Sequence, residues 1–374
     1  MKLVFWASAA LIFYTYLGYP AWLWLRSHVR PWPVQRGPYL PHVSAAMVVR
    51  NEENTLPRKL QNLSALDYPP DKLDFVIVSD GSTDRTASII SEQASRDPRF
   101  HLIAVDQPSG KAHGLNCALK AVQGEVILFT DARQEIEPGA LRLLVEDLAD
   151  PAVGCASGEL MLGDASGGES GEGMGLYWRV EKWIRELESA SGSVVGATGA
   201  IYAARRALLP LVPQDTILDD VYLPMHVVRQ GFRVVFDSRA RAWDHPNLGA
   251  KREFSRKVRT LGGNYQLLQL APWLLTGANP VRFALISHKL LRLIVPVLLL
   301  VTLISSVFLT GPLYRLFFFL QLCFYASCLL AFLPFRAGVL NRLGNAVCTF
   351  VVLNTAAAVA FGNFVSGRRT VWTR

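Results

Sequence analysis

Charge is scarce in this chain of 374 residues: Asp, Glu, Lys and Arg make up 18% of it, against 51% hydrophobic residues. A soluble domain carries about 25% charged residues. The balance excludes a disordered chain and argues against an ordinary cytosolic enzyme throughout. Paired cysteine is missing as well. The five cysteines are Cys117, Cys155, Cys323, Cys328 and Cys348, three of them in apolar runs, and no CxxC spacing occurs. Neither a disulfide framework nor a zinc site is supported, and reduced thiols are expected. Acidic residues are the scarcer sign, 30 against 38 basic, a formal charge of +8. That excess suits anionic partners: nucleotide phosphates, anionic lipid or nucleic acid.

What the chain does have is long uncharged stretches. Residues 3–25 form a run of 23 without a charge, enough to span a hydrocarbon core of about 30 Å at about 1.5 Å per residue. A signal-peptide core is shorter, about 7–15 residues. Tyr19, Trp22 and Trp24 resemble an interfacial belt, and Arg26, His28, Arg30 and Arg36 place the following segment on the cytoplasmic side. Three more uncharged runs follow, of 18 residues at 293–310, 20 at 316–335 and 25 at 343–367. Four alternating spans leave residues 26–292 in the cytoplasm, together with the loop carrying Arg336 and Arg342. They put the tail with Arg368, Arg369 and Arg374 outside, against the positive-inside rule. Either the last run does not span or the tail is an exception.

Between the runs, residues 41–250 alternate strand and helix. Strands are predicted at 43–49, 75–78, 101–105 and 125–130, helices at 52–66, 86–94 and 112–121, and a Gly- and Ser-rich loop at 164–175. Such alternation predicts an α/β fold with a mostly parallel sheet, whose ligands bind beyond the carboxyl ends of the strands. Those ends are polar: Arg50-Asn51-Glu52-Glu53-Asn54, Ser79-Asp80-Gly81-Ser82-Thr83-Asp84, Ser109-Gly110-Lys111-Ala112 and Thr130-Asp131-Ala132-Arg133. Each alone is weak. Asp84, for example, also reads as an acid at a helix start, and Lys111 as a solvated surface lysine. Four in order within one predicted sheet are far more specific.

The pattern resembles the family 2 glycosyltransferases, inverting enzymes of the GT-A fold, over roughly residues 42–270. The flanking apolar runs resemble the membrane-bound branch that makes poly-N-acetylglucosamine, hyaluronan and cellulose. The resemblance implies a Rossmann-like nucleotide-diphospho-sugar transferase domain at 41–250. It is flanked by a transmembrane helix at 1–28, an interface region at 251–280 and about three transmembrane helices within 286–374. Asp80 and Glu52 are then expected to hold the nucleoside of a UDP-sugar, and Lys111 to approach the diphosphate as a point charge. Asp131 takes the first position of the family's DxD motif and is expected to bind the nucleotide through Mg²⁺ or Mn²⁺. The third position is Arg133 rather than aspartate, which puts metal dependence in question. Either Asp131 binds the ion with water and phosphate oxygens, or Arg133 shares the neutralising role.

Asp219-Asp220 matches the family's acidic site, with Asp219 in place of glutamate and Asp220 aligned with the catalytic base. A neighbouring acid raises the base's pKa by like-charge repulsion; two acids opening a helix are the plainer reading. Gly196-Ala197-Thr198-Gly199-Ala200, with Arg205-Arg206 after it, resembles the acceptor-side loop, or is a tight turn. Arg256 and Arg259 fall where the family carries its Q/RxxRW motif, with Thr260 replacing the tryptophan, and are expected near the diphosphate together with Asp219. Residues 251–275 also read as an amphipathic helix, Phe254, Val258 and Leu261 on one face, lying in the membrane interface. His245 reads as a loop histidine or a ligand.

These readings converge on an inverting hexosyltransferase at the cytoplasmic face of the inner membrane. Its partners are a UDP-sugar, a carbohydrate or lipid-linked acceptor and membrane lipid, and not nucleic acid, because the basic residues flank the apolar runs. Transfer of a single sugar to a lipid acceptor without polymerisation is the alternative; four spans are few for a polymer channel. A transporter or scaffold is the remoter one, disfavoured by the absence of ionisable residues from the last runs.

Overall fold

The structure, a computed structural model, describes residues 1–163, 172–244, 250–332 and 339–368. His245 lies outside the described residues, as does most of the predicted loop at 164–175. The chain opens with helix α1, Lys2–Val29, and continues β1 Val43–Val49, α2 Leu56–Ser64, β2 Leu73–Asp80, α3 Thr86–Arg96, β3 Phe100–Val105, α4 Lys111–Ala121 and β4 Val126–Phe129. Then come β5 Glu135–Ile136, α5 Ala140–Asp147, β6 Val153–Leu162, α6 Glu172–Ser191, β7 Tyr202–Arg205, α7 Asp219–Arg229, β8 Arg233–Asp244 and α8 Ala250–Leu270. Three apolar helices close it: α9 Arg282–Phe308, α10 Pro312–Ala331 and α11 Val339–Val365.

The eight strands form one sheet in the order β3-β2-β1-β4-β7-β6-β8-β5. β1 pairs parallel with β2 and β4, β2 with β3, and β6 with β8; β7 runs antiparallel to both β4 and β6, and β5 to β8. Strand β1 is buried along its whole length, as a central strand covered on both faces must be. Its alternate side chains divide between two cores. Val43, Ala45 and Met47 pack with Leu56, Leu60, Leu141 and Leu144, while Ala46 and Val48 pack with Leu115, Ala118, Leu223 and Val227. The carboxyl ends of β1, β2 and β4 therefore open together on one rim.

Two predicted boundaries move. Helix α2 starts at Leu56 rather than 52, because Asn51 turns the chain at φ 53° and the Glu52 carbonyl then accepts from Thr55 and Leu56 N–H groups. The backbone is helical from Glu172, inside the segment expected to be loop.

The polypeptide after α1 is stapled to the domain. Trp32 N–H donates to Ala190 O, Arg233 stacks over the Trp32 ring at 4.3 Å and donates to its carbonyl, and Arg36 pairs with buried Asp147. Helix α9 packs along α1, and α11 packs on α8 and α6. The apolar face of α8 is thereby covered by protein: Val258, Phe254 and Leu261 pack against Ala356 and Ala360 of α11. An apolar stripe does not say whether lipid or another helix covers it, and at these three residues the cover is a helix. Among the described residues four helices are long and apolar enough to cross a membrane, and large exposed apolar side chains such as Leu300, Phe308 and Phe319 lie on them.

Candidate active site

Lys111 enters the rim as the first residue of α4, straight after Gly110, whose φ of 91° turns the chain there. Its ammonium lies 3.2 Å from Asp131 Oδ1 and 3.2 Å from Asp219 Oδ2. Residues from the β3–α4 turn, the end of β4 and the start of α7, far apart in sequence, thus meet in one cleft with Thr130, Gly199 and Tyr202. Burial disfavours the Lys111 charge, but Asp131, Asp219 and Asp220 outweigh it and hold the group above the usual lysine range.

Asp220 sits beside this pair at the first turn of α7. Burial, and then the charge of Asp219, push its carboxyl up to about 6; Lys111 and Lys289 of α9 pull the other way. The expected loop 196–200 is folded against it. Ala197 N–H donates to Asp220 O at 2.7 Å, and a Cβ on Gly199 would stand 3.2 Å from Asp220 Oδ2. Only a residue without a side chain leaves that carboxylate its room. Arg205 and Arg206 do not reach the cleft; they hold the backbone carbonyls of Leu148, Val153 and Val122.

Asp80 is held inside the turn after β3. It is fully buried, and its carboxylate accepts from Ser109 N–H at 2.8 Å and Gly110 N–H at 2.9 Å. It presents no surface to a nucleobase; it fixes the turn that launches Lys111. Glu52 stands half-buried at the neighbouring turn, its amide held by Thr86 Oγ1. Asp84 is a cap: its oxygens accept from Thr86 and Glu53 N–H groups, and these bonds outweigh burial and hold its carboxyl below the usual range.

Arg133 does not share the neutralising role at Asp131. Its guanidinium pairs with Asp244, buried at the end of β8. Arg256 pairs with Glu253 one helical turn away. Arg259, on the same helix, forms no ion pair among the described residues. Neither arginine contacts Lys111, Asp131, Asp219 or Asp220 among those residues. What α8 does bring is Gln266, which accepts from Ile217 N–H and donates to Asp215 O, and Gly263, against which Ile217 and Leu218 pack. Together they clamp the segment that delivers Asp219 and Asp220.

Two contributors were missed from sequence. Lys59, fully buried, donates to Thr130 Oγ1 at 2.9 Å and Gln134 O at 2.7 Å and so supports the Asp131 turn from below. Burial drives its ammonium down to about 7 against the pull of Asp131 and Glu135. Tyr202 stacks on Phe129 with ring centroids 4.5 Å apart, and its hydroxyl is buried without a hydrogen-bond partner. Nothing in the local sequence marks either.

Residues 44–209 match the profile of Glycosyl transferase family 2. The chain carries a family 2 glycosyltransferase domain. It is 27% identical to the beta-monoglucosyldiacylglycerol synthase of Synechocystis sp. over 195 residues, 51% of this chain and 40% of that protein. It is 23% identical to the poly-beta-1,6-N-acetyl-D-glucosamine synthase of Staphylococcus epidermidis over 235 residues, 62% of this chain and 56% of that one. The chain thus spans about half the length of the curated relatives it matches. Among solved structures, the mannosyltransferase PcManGT from Pyrobaculum calidifontis, in complex with GDP-Man and Mn²⁺, superposes with a TM-score of 0.75 at 22% identity, covering 98% of this chain and 100% of that one. The fold is therefore the GT-A glycosyltransferase fold.

The carboxylates of the cleft suit a divalent ion that takes its remaining ligands from substrate phosphates. Among the described residues no three His, Cys, Asp or Glu side chains gather as a cation cage. Mg²⁺ needs no such cage, being held typically by one or two carboxylates together with substrate phosphates. Asp131 and Asp219, flanking one cationic position, are such a pair.

Proposed function

We propose that this glycosyltransferase is a membrane-bound inverting enzyme that moves a sugar from a UDP-sugar to a hydroxyl of a polysaccharide or lipid-linked acceptor at the cytoplasmic face. The observation that carries it is the meeting of Lys111, Asp131 and Asp219 in one cleft, with Asp220 at its side. Asp131 and Asp219 would hold Mg²⁺ or Mn²⁺; a bound ion supplies neutralisation of the charge building on the departing diphosphate. Lys111 adds a point charge to the same oxygens. Asp220 takes the proton of the acceptor hydroxyl as its oxygen attacks the anomeric carbon from the face opposite the diphosphate. A carboxylate with its pKa near 6 is ionised at neutral pH and more basic than an ordinary aspartate. Asp80, Lys59 and Gln266 position these groups, and Glu52 remains at the rim for the nucleoside. Four apolar helices with exposed apolar side chains support membrane attachment.

A lipid acceptor taking one sugar is the second reading. It is favoured by Lys289, in the first turns of a candidate span, whose charge acts on Asp220 and so sets the base near the apolar helices. The test is incubation of membranes containing the protein with a panel of labelled nucleotide sugars, with and without Mn²⁺, and sizing of the products. Mn²⁺-dependent incorporation from a UDP-sugar is expected. A ladder of products indicates extension and one added sugar the lipid reading, while incorporation from no UDP-sugar contradicts the proposal.

A further inference from the structure

Lys111 stands between two carboxylates that the proposed function needs elsewhere. Its ammonium is within 3.2 Å of both Asp131 and Asp219, so the position midway between the acids is filled by a protein cation. Among the described residues lining the cleft, one buried polar side-chain atom is unpaired: the Tyr202 hydroxyl, which feels the charges of Asp219, Asp220 and Asp131. A buried hydroxyl without a partner is costly, which marks the arrangement as one awaiting a further group. Two arginines near the acids are committed elsewhere. Arg133 is paired with Asp244, and Arg185 is spent on Thr198 and Ser157.

We propose that Lys111 is a place-holding counter-ion: in the donor-free enzyme it occupies the seat of the divalent cation between Asp131 and Asp219, and it gives up that seat when a nucleoside diphosphate arrives. The diphosphate offers the ammonium an alternative anionic partner, so Lys111 moves onto phosphate oxygens while both carboxylates become available to the ion. Three things follow from charge alone. The free protein binds a divalent ion weakly, since two cations compete for one pair of acids. Nucleotide and metal bind with positive coupling, and the coupling is reciprocal. Removing the ammonium frees the acids in advance and reduces the coupling to what the shared phosphate oxygens supply.

The inference rests on the reading of Asp131 and Asp219 as the metal-holding pair, and the experiment separates the two. Mn²⁺ binding to the purified full-length protein is measured by electron paramagnetic resonance, with and without UDP, for the unchanged protein, Lys111→Gln and Lys111→Arg. The expected result for Lys111→Gln is Mn²⁺ binding about tenfold tighter than the unchanged protein in the absence of UDP, with a smaller further tightening on adding UDP than the unchanged protein shows. Lys111→Arg, which keeps the charge, should bind Mn²⁺ weakly until UDP is present. Lys111→Gln binding Mn²⁺ no more tightly than the unchanged protein overturns the place-holder. Absence of Mn²⁺ binding by all three proteins, with UDP present, overturns the reading of the acidic pair itself. Should Lys111→Gln fail to fold, Lys111→Arg decides: Mn²⁺ binding to it about tenfold tighter than to the unchanged protein, without UDP, contradicts a charge-based place-holder.

Discussion

Asp220 and Gly199 stand in close contact at the proposed base. A methyl group added at Gly199 would lie 3.2 Å from Asp220 Oδ2, tighter than ordinary van der Waals contact, and would turn the base. Gly199→Ala is expected to lower kcat roughly 10- to 100-fold, with an unchanged far-UV circular dichroism spectrum and unchanged UDP affinity. The raised pKa of Asp220 gives a second expectation. Its carboxyl must be ionised to act as a base, so kcat/KM should fall about tenfold per pH unit below about 6 and level off above it. A profile flat between pH 5 and 7 would show that another group takes the proton.

At the scale of elements, α8 acts as a clamp. Gln266 bridges Asp215 O and Ile217 N–H, and Asp215 itself holds φ 62°. Gln266→Ala removes two hydrogen bonds from the segment that presents the acidic pair, at a cost of about 1–3 kcal/mol. Thermal unfolding of the purified protein measures the loss, and kcat should fall with it while UDP binding is retained. This element also shows what sequence could and could not reveal. The apolar stripe of α8 was legible in its spacing, but its cover was not, because Ala356 and Ala360 lie about a hundred residues away. The four polar strand ends were legible because a parallel sheet gathers its carboxyl ends on one rim, and Lys111, Asp131 and Asp219 do meet there. Hidden were the inward turn of Asp80, fixed by two backbone amides, and the pairing of Arg133 with Asp244. So were the burial of Lys59 and the unpaired hydroxyl of Tyr202. Each depends on a partner from a distant strand or on the packing above it, which no local pattern encodes.

Across the whole molecule, catalytic domain and apolar helices are joined by a buried charge network. Glu181 of α6 pairs with His288 at 2.9 Å and Arg292 at 2.6 Å, and Glu188 accepts from the Tyr19 hydroxyl of α1 at 2.7 Å and contacts His288. Burial would raise the carboxyl of Glu181, but Arg292 and His288 hold it well below the usual range. The helix that contributes Arg185 and Thr198's partner bond is thus anchored by a candidate span, and the cleft is built against the helices that carry it. Breaking one partner of a buried pair costs about 3–5 kcal/mol. Glu181→Gln should therefore lower the unfolding temperature markedly, whereas Glu92→Gln, on exposed α3, should leave it unchanged. Equal unfolding temperatures for the two variants would mean that domain and spans are coupled by apolar packing alone.

The gathering of these acids around one donor is tested most directly by Asp220→Asn. In membranes supplied with a UDP-sugar and Mn²⁺, the variant should retain UDP binding and lose sugar transfer by about 10²- to 10⁴-fold. Transfer at the unchanged rate would contradict the account, because the hydroxyl would then be losing its proton to something outside the cleft.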